Sequence, residues 1–221
     1  MPVWLFDLDN TLHNTSYAIF PLINRSMTVY MQERLGLDEL TANRLRQVYW
    51  QRYGATLLGL MQHHQVDPAD FLQKTHDFDD VSALMAMERG LSRRLARLPG
   101  RKILLTNAPS HYANEIVRHL RIHRHFSEQI AIEQMWVHGK LRPKPSTSML
   151  RQLFARLHLH PSQCVLVEDS LENLRAAKAL GCQTVWITGF SPRAACMKRP
   201  RYVDRKYRSV KSLNRHSLTA R

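Results

Sequence analysis

Val3-Trp4-Leu5-Phe6-Asp7-Leu8-Asp9-Asn10-Thr11 joins an unbroken apolar run to a pair of carboxylates. Apolar residues without polar alternation read as a strand buried on both faces, the kind found inside a parallel sheet. Ile103 to Leu105, Ile130 to Ile132, Cys164 to Val167 and Thr184 to Ile187 have the same character, and a weaker sixth run lies at Arg201 to Val203. Helical patterns lie between most of them. Ser110 precedes Ile116, Val117 and Leu120, and Ser146 opens a stretch with Met149, Leu150, Leu153, Phe154 and Leu157 on one face. Leu171 to Leu180 is a third, stopped by Gly181, a residue suited to the position just past a helix end. Strands alternating with helices predict an α/β fold, a parallel sheet with helices on both faces.

The stretch between the first two strands breaks that rhythm. It has no convincing strand, only amphipathic pieces around Ile19 to Leu35, Leu40 to Tyr53 and Phe71 to Thr75. The expectation is an all-helical insertion over residues 14–98, hinged near His13 to Ser16 and near Asp79 to Met87. Residues 1–13 and 99–190 then form the core. Residues 191–221 form a basic terminal segment, with ten Lys/Arg against the single acid Asp204, expected to be a solvated, partly mobile tail except for a last strand near 201–203.

The whole chain of 221 residues carries a formal charge of +14, which predicts attraction to anions and says nothing about fold. Its three cysteines, Cys164, Cys182 and Cys196, have no metal-like spacing and suit a reducing compartment. No apolar run reaches the ~18 residues of a membrane span. No basic-then-apolar leader is visible, so the expected location is the cytoplasm, with no membrane partner.

In a doubly wound sheet, ligands bind beyond the carboxyl ends of the strands. Asp7 and Asp9 follow the first strand, Thr106 and Asn107 the second, Lys144 lies in the loop after the third, and Glu168 and Asp169 follow the fourth. In an extended segment Asp7 and Asp9 project to the same side. Two close carboxylates call for a cation or a shared proton. Mg2+ answers that need with a few carboxylates, water and substrate phosphate oxygens, and Asp169 supplies a second anchor. Asp7 can hold the metal with one oxygen and attack phosphorus with the other, while Asp9 donates a proton to the leaving oxygen and later takes one from water. Thr106 offers a hydroxyl, Asn107 a backbone N–H and Lys144 a full charge to the phosphoryl oxygens. Pro143 and Pro145 restrict the backbone around that lysine.

These segments resemble the four motifs of the haloacid dehalogenase-like hydrolase superfamily. Asp7-Leu8-Asp9-Asn10-Thr11-Leu12 is similar to the first, Leu105-Thr106-Asn107 to the second, Lys144 to the third and Glu168-Asp169-Ser170 with Asn173 to the fourth. The resemblance covers roughly residues 2–190. It implies a Rossmann-like core with a helical cap inserted after the first strand, and a phosphoaspartate mechanism. Asp7 would be nucleophile and metal ligand, and Asp9 the acid/base whose carbonyl also binds magnesium. Thr106 and Lys144 would stabilise the transferring group, and Asp169 would complete the metal site. Glu168 is a secondary candidate, as a direct or outer ligand. Asp9 favours phosphate esters over carbon–halogen bonds, because the dehalogenases lack that aspartate. Asn10, Tyr17 and the Glu168-Asp169-Ser170…Asn173 pattern are similar to the pyrimidine 5′-nucleotidase branch.

The expected activity is therefore a magnesium-dependent phosphatase for small phosphate monoesters, with a nucleoside monophosphate as substrate. The alternatives are a phosphosugar mutase, a sugar-phosphate or phosphoglycolate phosphatase, and, more distantly, a non-catalytic nucleic-acid-binding scaffold. Nucleic acid is not the expected partner, and oligomeric state is not predicted. Tyr17, nearest the first motif, is the candidate substrate contact among Tyr17, Phe20, Tyr49, Trp50 and Tyr53, most of which helical spacing assigns to packing. His13 is a candidate to line the cleft. His119, His123 and His125 do not share one helical face and read as basic surface.

Overall fold

The computed structural model describes residues 1–78, 81–85 and 89–214. Residues 79–80 and 86–87 of the second expected hinge, near Asp79 to Met87, and the last seven residues of the basic segment, 215–221, lie outside the described residues. The chain divides into two compact units, Met1–Thr15 with Met85–Arg221, and Ser16–Leu84.

Along the chain, β1 (Val3–Phe6) is followed by α1 (Ile19–Leu35), α2 (Glu39–Tyr53), α3 (Thr56–His64) and α4 (Pro68–Thr75). Then come α5 (Leu91–Arg97), β2 (Arg101–Leu105), α6 (Ser110–His119), β3 (Glu128–Ile130) and a hairpin of β4 (Trp136–Val137) and β5 (Lys140–Leu141). The rest is α7 (Thr147–Arg156), β6 (Cys164–Glu168), α8 (Leu171–Ala179), β7 (Gln183–Ile187), α9 (Pro192–Cys196) and β8 (Arg205–Tyr207).

The first unit is built on a six-stranded sheet in the order β3-β2-β1-β6-β7-β8, with every neighbouring pair parallel. Every residue of β1 and β6 is buried. Side chains alternate across a strand, so burial of all of them means that both faces of the sheet are covered. Trp4 and Phe6 are among the largest buried side chains, and the Trp4 indole donates to Pro99 O at 2.8 Å. Ser146 caps α7 by accepting from the Met149 amide, and Gly181 takes φ +96° just past α8, as its place after the helix predicts.

The order places the switch of the winding between β1 and β6. From β1 the chain steps outward through β2 to β3, then returns and runs from β6 through β7 to β8. The open crevice of such a sheet lies there, beyond the strand ends.

Some expectations moved. The last strand is not at 201–203, which forms a turn closed by Val203 N–H to Pro200 O at 3.1 Å. It is β8, whose Tyr207 sits opposite Ile187. An edge strand of Arg205-Lys206-Tyr207 shows no apolar run, because one side of it is open. The basic segment is consequently folded as far as it is described, not a solvated tail: α9, β8 and a 3₁₀ turn at Val210–Ser212 follow one another. The third strand ends at Ile130, and Ile132 begins a 3₁₀ turn.

The second unit is helical. α1 packs on α2 and α4, with Tyr30 edge-on to Phe71 at 5.2 Å between ring centroids. α3 crosses α2 at Gly59, where a Cβ would lie 2.3 Å from Tyr49 Cγ. His63 and His64 are bound to tyrosines, with Tyr53 OH to His63 Nε2 at 2.5 Å and Tyr49 OH to His64 Nε2 at 2.7 Å. α5 falls in the first unit, although the range 14–98 would have assigned it to the insertion. Among the described residues no helix is long and apolar enough to cross a membrane.

Candidate active site

Asp7 continues the β1 ladder by one residue, its N–H donating to Val167 O at 3.0 Å. Since Phe6 pairs with Val167, the next residues, Asp7 and Glu168, sit side by side at the switch point. Lys144 reaches them from the loop before α7. Its Nζ donates to Asp7 Oδ1 at 2.7 Å, to Glu168 Oε2 at 2.9 Å and to Leu105 O at 2.8 Å. An ammonium has three protons, and all three are used. All three side chains are buried, Lys144 to 5% exposure and Glu168 to 1%.

The lysine is held from behind. Asn107 Nδ2 donates to Lys144 O at 3.0 Å, and Lys144 N donates to Asn107 Oδ1 at 2.9 Å. This reciprocal pair joins the second motif to the third. Thr106 is pinned by its N–H to Ile130 O at 2.9 Å, and its hydroxyl accepts from Ala108 N at 3.0 Å. The hydroxyl proton of Thr106 must then point elsewhere.

Both oxygens of Glu168 are engaged. Oε1 accepts from Asp169 N at 3.1 Å and Ser170 N at 3.2 Å, while Oε2 accepts from Asn173 Nδ2 at 3.0 Å as well as from Lys144. Asn173 thus serves by holding Glu168.

Asp9 does not share this cluster. Tyr112 OH at 2.9 Å and Thr15 Oγ1 at 2.8 Å donate to its Oδ1, and His13 Nε2 lies 3.1 Å from the same oxygen. The chain does not stay extended past Leu8: Asn10 takes a left-handed φ of +56°, and its side chain accepts from Thr15 N at 3.2 Å. Asn is one of the few side chains that tolerates that region. Thr15 and Tyr112 were not legible as site residues, since a threonine six positions on and a lone tyrosine on a buried helical face carry no motif. Tyr17 lies in the helical unit, 83% exposed.

Ligand oxygens of Asp7, Glu168 and Asp169 all lie within 4.8 Å of one another. Burial, followed by the charges of Glu168 and Asp9, pushes the Asp7 carboxyl well above its ordinary range, and Lys144 only partly opposes this. Burial and then Glu168 and Asp7 push Asp169 up as well. Burial works against ionised Glu168, but Lys144 and its hydrogen bonds hold it low. Burial likewise opposes a charged Lys144, and Asp7 and Glu168 overcome it, raising the lysine. For Asp9, hydrogen bonds from His13, Thr15 and Tyr112 outweigh burial and hold it low. Fully ionised, the three carboxylates facing one ammonium carry two negative charges in excess, the charge that one divalent cation would balance. An all-oxygen donor set of this kind fits a hard cation.

Residues 4–187 match the family described as haloacid dehalogenase-like hydrolase. "Phosphate metabolism protein 8" of Saccharomyces cerevisiae is 27% identical over 197 residues, 81% of this chain and 59% of that protein. Phosphoglycolate phosphatase of Salmonella typhimurium is 34% identical over 85 residues, 38% of this chain and 32% of that protein. The matched region thus spans about three-fifths of the length of the first relative and a third of the second. Among solved structures, CbbY from Rhodobacter sphaeroides in complex with phosphate superimposes with a TM-score of 0.65 at 23% identity, covering 99% of both chains. With the matched residues running from β1 to the end of β7, this chain belongs to the haloacid dehalogenase-like hydrolase family.

Proposed function

We propose that the protein is a phosphatase for small phosphate monoesters, working through an aspartyl-phosphate on Asp7 with Mg2+ at Asp7, Asp169 and the Asp9 carbonyl. The observation that carries this reading is the Lys144 ammonium bridging Asp7 and Glu168 at the head of the crevice. It fixes Asp7 through Oδ1, leaving Oδ2 as the attacking atom. Oδ2 forms a bond to phosphorus, the bond from phosphorus to the ester oxygen breaks, and that oxygen takes the electron pair together with a proton from Asp9. Water then attacks phosphorus, Asp9 recovers a proton from it, and the Asp7 carboxylate leaves with its electron pair. Thr106 donates to a phosphoryl oxygen, and Lys144 balances the charge that gathers there. When bound, the cation supplies charge neutralisation at the phosphoryl oxygens. Glu168, with four donors on its two oxygens, serves by holding Lys144, and Asn107 does the same from the backbone side.

A pyrimidine nucleoside monophosphate is the proposed substrate, on the likeness of the Asn10, Tyr17 and Glu168…Asn173 pattern to that branch, with Tyr17 as a substrate contact. The second reading is a phosphoglycolate or sugar-phosphate phosphatase. It is favoured by the 34% identity to the Salmonella enzyme over 85 residues. A reducing, cytoplasmic setting goes with either, as all three cysteines are free.

Phosphate release with Mg2+ over UMP, CMP, AMP, GMP, sugar phosphates and phosphoglycolate tests both readings, with Asp7→Asn as control. Expected is release from UMP and CMP above the purine nucleotides, reduced at least a thousandfold in Asp7→Asn, roughly 4 kcal/mol of barrier. Turnover of nothing on that panel, or full activity in Asp7→Asn, would overturn the mechanism. A preference for phosphoglycolate would select the second reading.

A further inference from the structure

Two stretches of the first unit carry the surplus of positive charge, the terminal segment from Ser191 and an earlier one from Arg89 to Ser127. Between Arg89 and Ser127 there are nine Lys/Arg and one acid, Glu115. That local excess of eight is more than half of the net +14. Three segments bring it together. α5 packs against the 3₁₀ turn at His123–His125, where Ser92 Oγ and His125 Nε2 are 2.8 Å apart, and the same turn packs against α6. Exposed on them are Arg93 and Arg97 of α5, Arg118 of α6, and Arg121 and Arg124 beside or within the turn. Of the basic residues here, Arg101 is ion-paired, to Glu128, and Lys102 is turned onto the Leu98 and Gly100 carbonyls.

Topology puts this face away from the catalytic crevice. α5 ends at Arg97 just before β2 begins at Arg101, and α6 ends at His119 before β3 begins at Glu128. These are amino-terminal ends of parallel strands, whereas Asp7, Thr106 and Glu168 lie at carboxyl ends. The patch therefore has no part in holding the reacting phosphate.

We propose that this arginine face binds the phosphate backbone of a nucleic acid, without reading sequence. Arg93 and Arg97 stand four apart on α5, which spaces that pair by ~5–6 Å at Cβ, and Arg121 follows Arg118 just past the end of α6. The α5 spacing spans one to two nucleotides of a strand, which rises ~3.4 Å per step. The charges are arginines, which fork onto phosphate oxygens. None of the exposed large hydrophobic side chains lies between residues 89 and 127. A membrane surface would call for apolar groups to insert, and a protein partner for apolar or aromatic anchors. Nucleic-acid interfaces are polar and strongly positive. Burial together with Arg124, Lys102 and His123 pushes the His125 imidazole down, as a positive local field requires.

The test is anisotropy of a labelled mixed-sequence 20-base-pair duplex against the full chain across a salt series. Expected is binding whose log affinity falls with log salt at a slope of about −4, for four to five phosphates neutralised. The triple variant Arg97→Glu, Arg121→Glu, Arg124→Glu should bind at least tenfold more weakly and with a slope shallower by about 2.7, while phosphate release is unchanged. Arg151→Glu, Arg156→Glu, Arg193→Glu carries the same net charge and should lose less than threefold. If the patch reversal does not fold, Arg97→Gln, Arg121→Gln, Arg124→Gln replaces it and must still weaken binding more than the same changes at 151, 156 and 193. Equal losses in the two triple variants, a slope near zero, or capture by phosphatidylserine vesicles as tight as by the duplex would each overturn the assignment.

Discussion

Three groups converge on one oxygen of Asp9, so in the proposed mechanism Oδ2 is the atom that would pass the proton to the leaving group. Tyr112 is the most telling of them, because it comes from α6 and is fully buried. Tyr112→Phe removes only the donated hydrogen bond. That bond fixes where the carboxyl points, and misplacing a proton donor slows its step, so kcat on an alkyl ester such as UMP should fall about tenfold. With p-nitrophenyl phosphate, whose leaving oxygen needs little proton assistance, the loss should stay under threefold. KM should hardly move for either. Equal losses on both esters would show that Tyr112 acts on packing alone. Lys144 is a different case. Lys144→Met leaves Asp7 and Glu168 buried without their counter-charge, and breaking a buried pair costs about 3–5 kcal/mol. Urea unfolding should show that loss together with absent phosphate release.

At the scale of elements, the strands of the core were legible because a strand covered on both faces must be apolar throughout. β1 and β6 are buried throughout and β2 and β7 beyond their first residues, and the residues that the motifs mark, Asp7, Thr106 and Glu168, stand at the ends of β1, β2 and β6. β8 was misplaced because it lies at the edge, and the β4–β5 hairpin was missed because two-residue strands leave no pattern. α1 was legible to its boundaries. α3 was not, since Gly59 and the paired histidines break its apolar stripe. The structure explains that glycine: α3 approaches α2 so closely that any side chain meets the Tyr49 ring. Gly59→Ala should destabilise the helical unit by about 1–3 kcal/mol, the usual cost of overpacking. Unfolding followed by circular dichroism measures it. Combining it with Tyr49→Ala should cost less than the two losses added, because the second change clears the space the first one fills. Additive losses would mean that the close approach carries no strain. That Asp7 and Glu168 come together was legible for the same reason as the strands that position them. The cage around Asp9 was not, because its members act through distance and not through spacing in the chain.

Over the whole molecule, the electrostatics run in two directions. A net charge of +14 would on average hold carboxylates ionised, yet Asp7 and Asp169 are pushed up, because burial and three adjacent carboxylates act at close range while the remote charges are screened. This has a consequence for global stability. A carboxyl raised in the folded state keeps its proton after the unfolded chain, titrating near ~4, has released it, so stability is greatest at low pH and is lost as pH rises towards the folded pKa. Glu168 and Asp9, held low, act in the opposite sense, but only below about pH 4, where they lose their charge in the unfolded chain. Above that pH the metal-free protein loses stability through Asp7 and Asp169. A divalent cation competes with those protons, so the stability it adds must grow as they leave. Thermal unfolding in EDTA and in excess Mg2+ should therefore show a gain in Tm that is larger at pH 8 than at pH 5.5. In Asp169→Asn, which removes one carboxylate and its titration, the gain should shrink and its pH dependence flatten. An equal gain at both pH values in the unaltered protein would mean that protons and cation do not share the cluster of Asp7, Glu168 and Asp169, and the cation would have to be placed elsewhere.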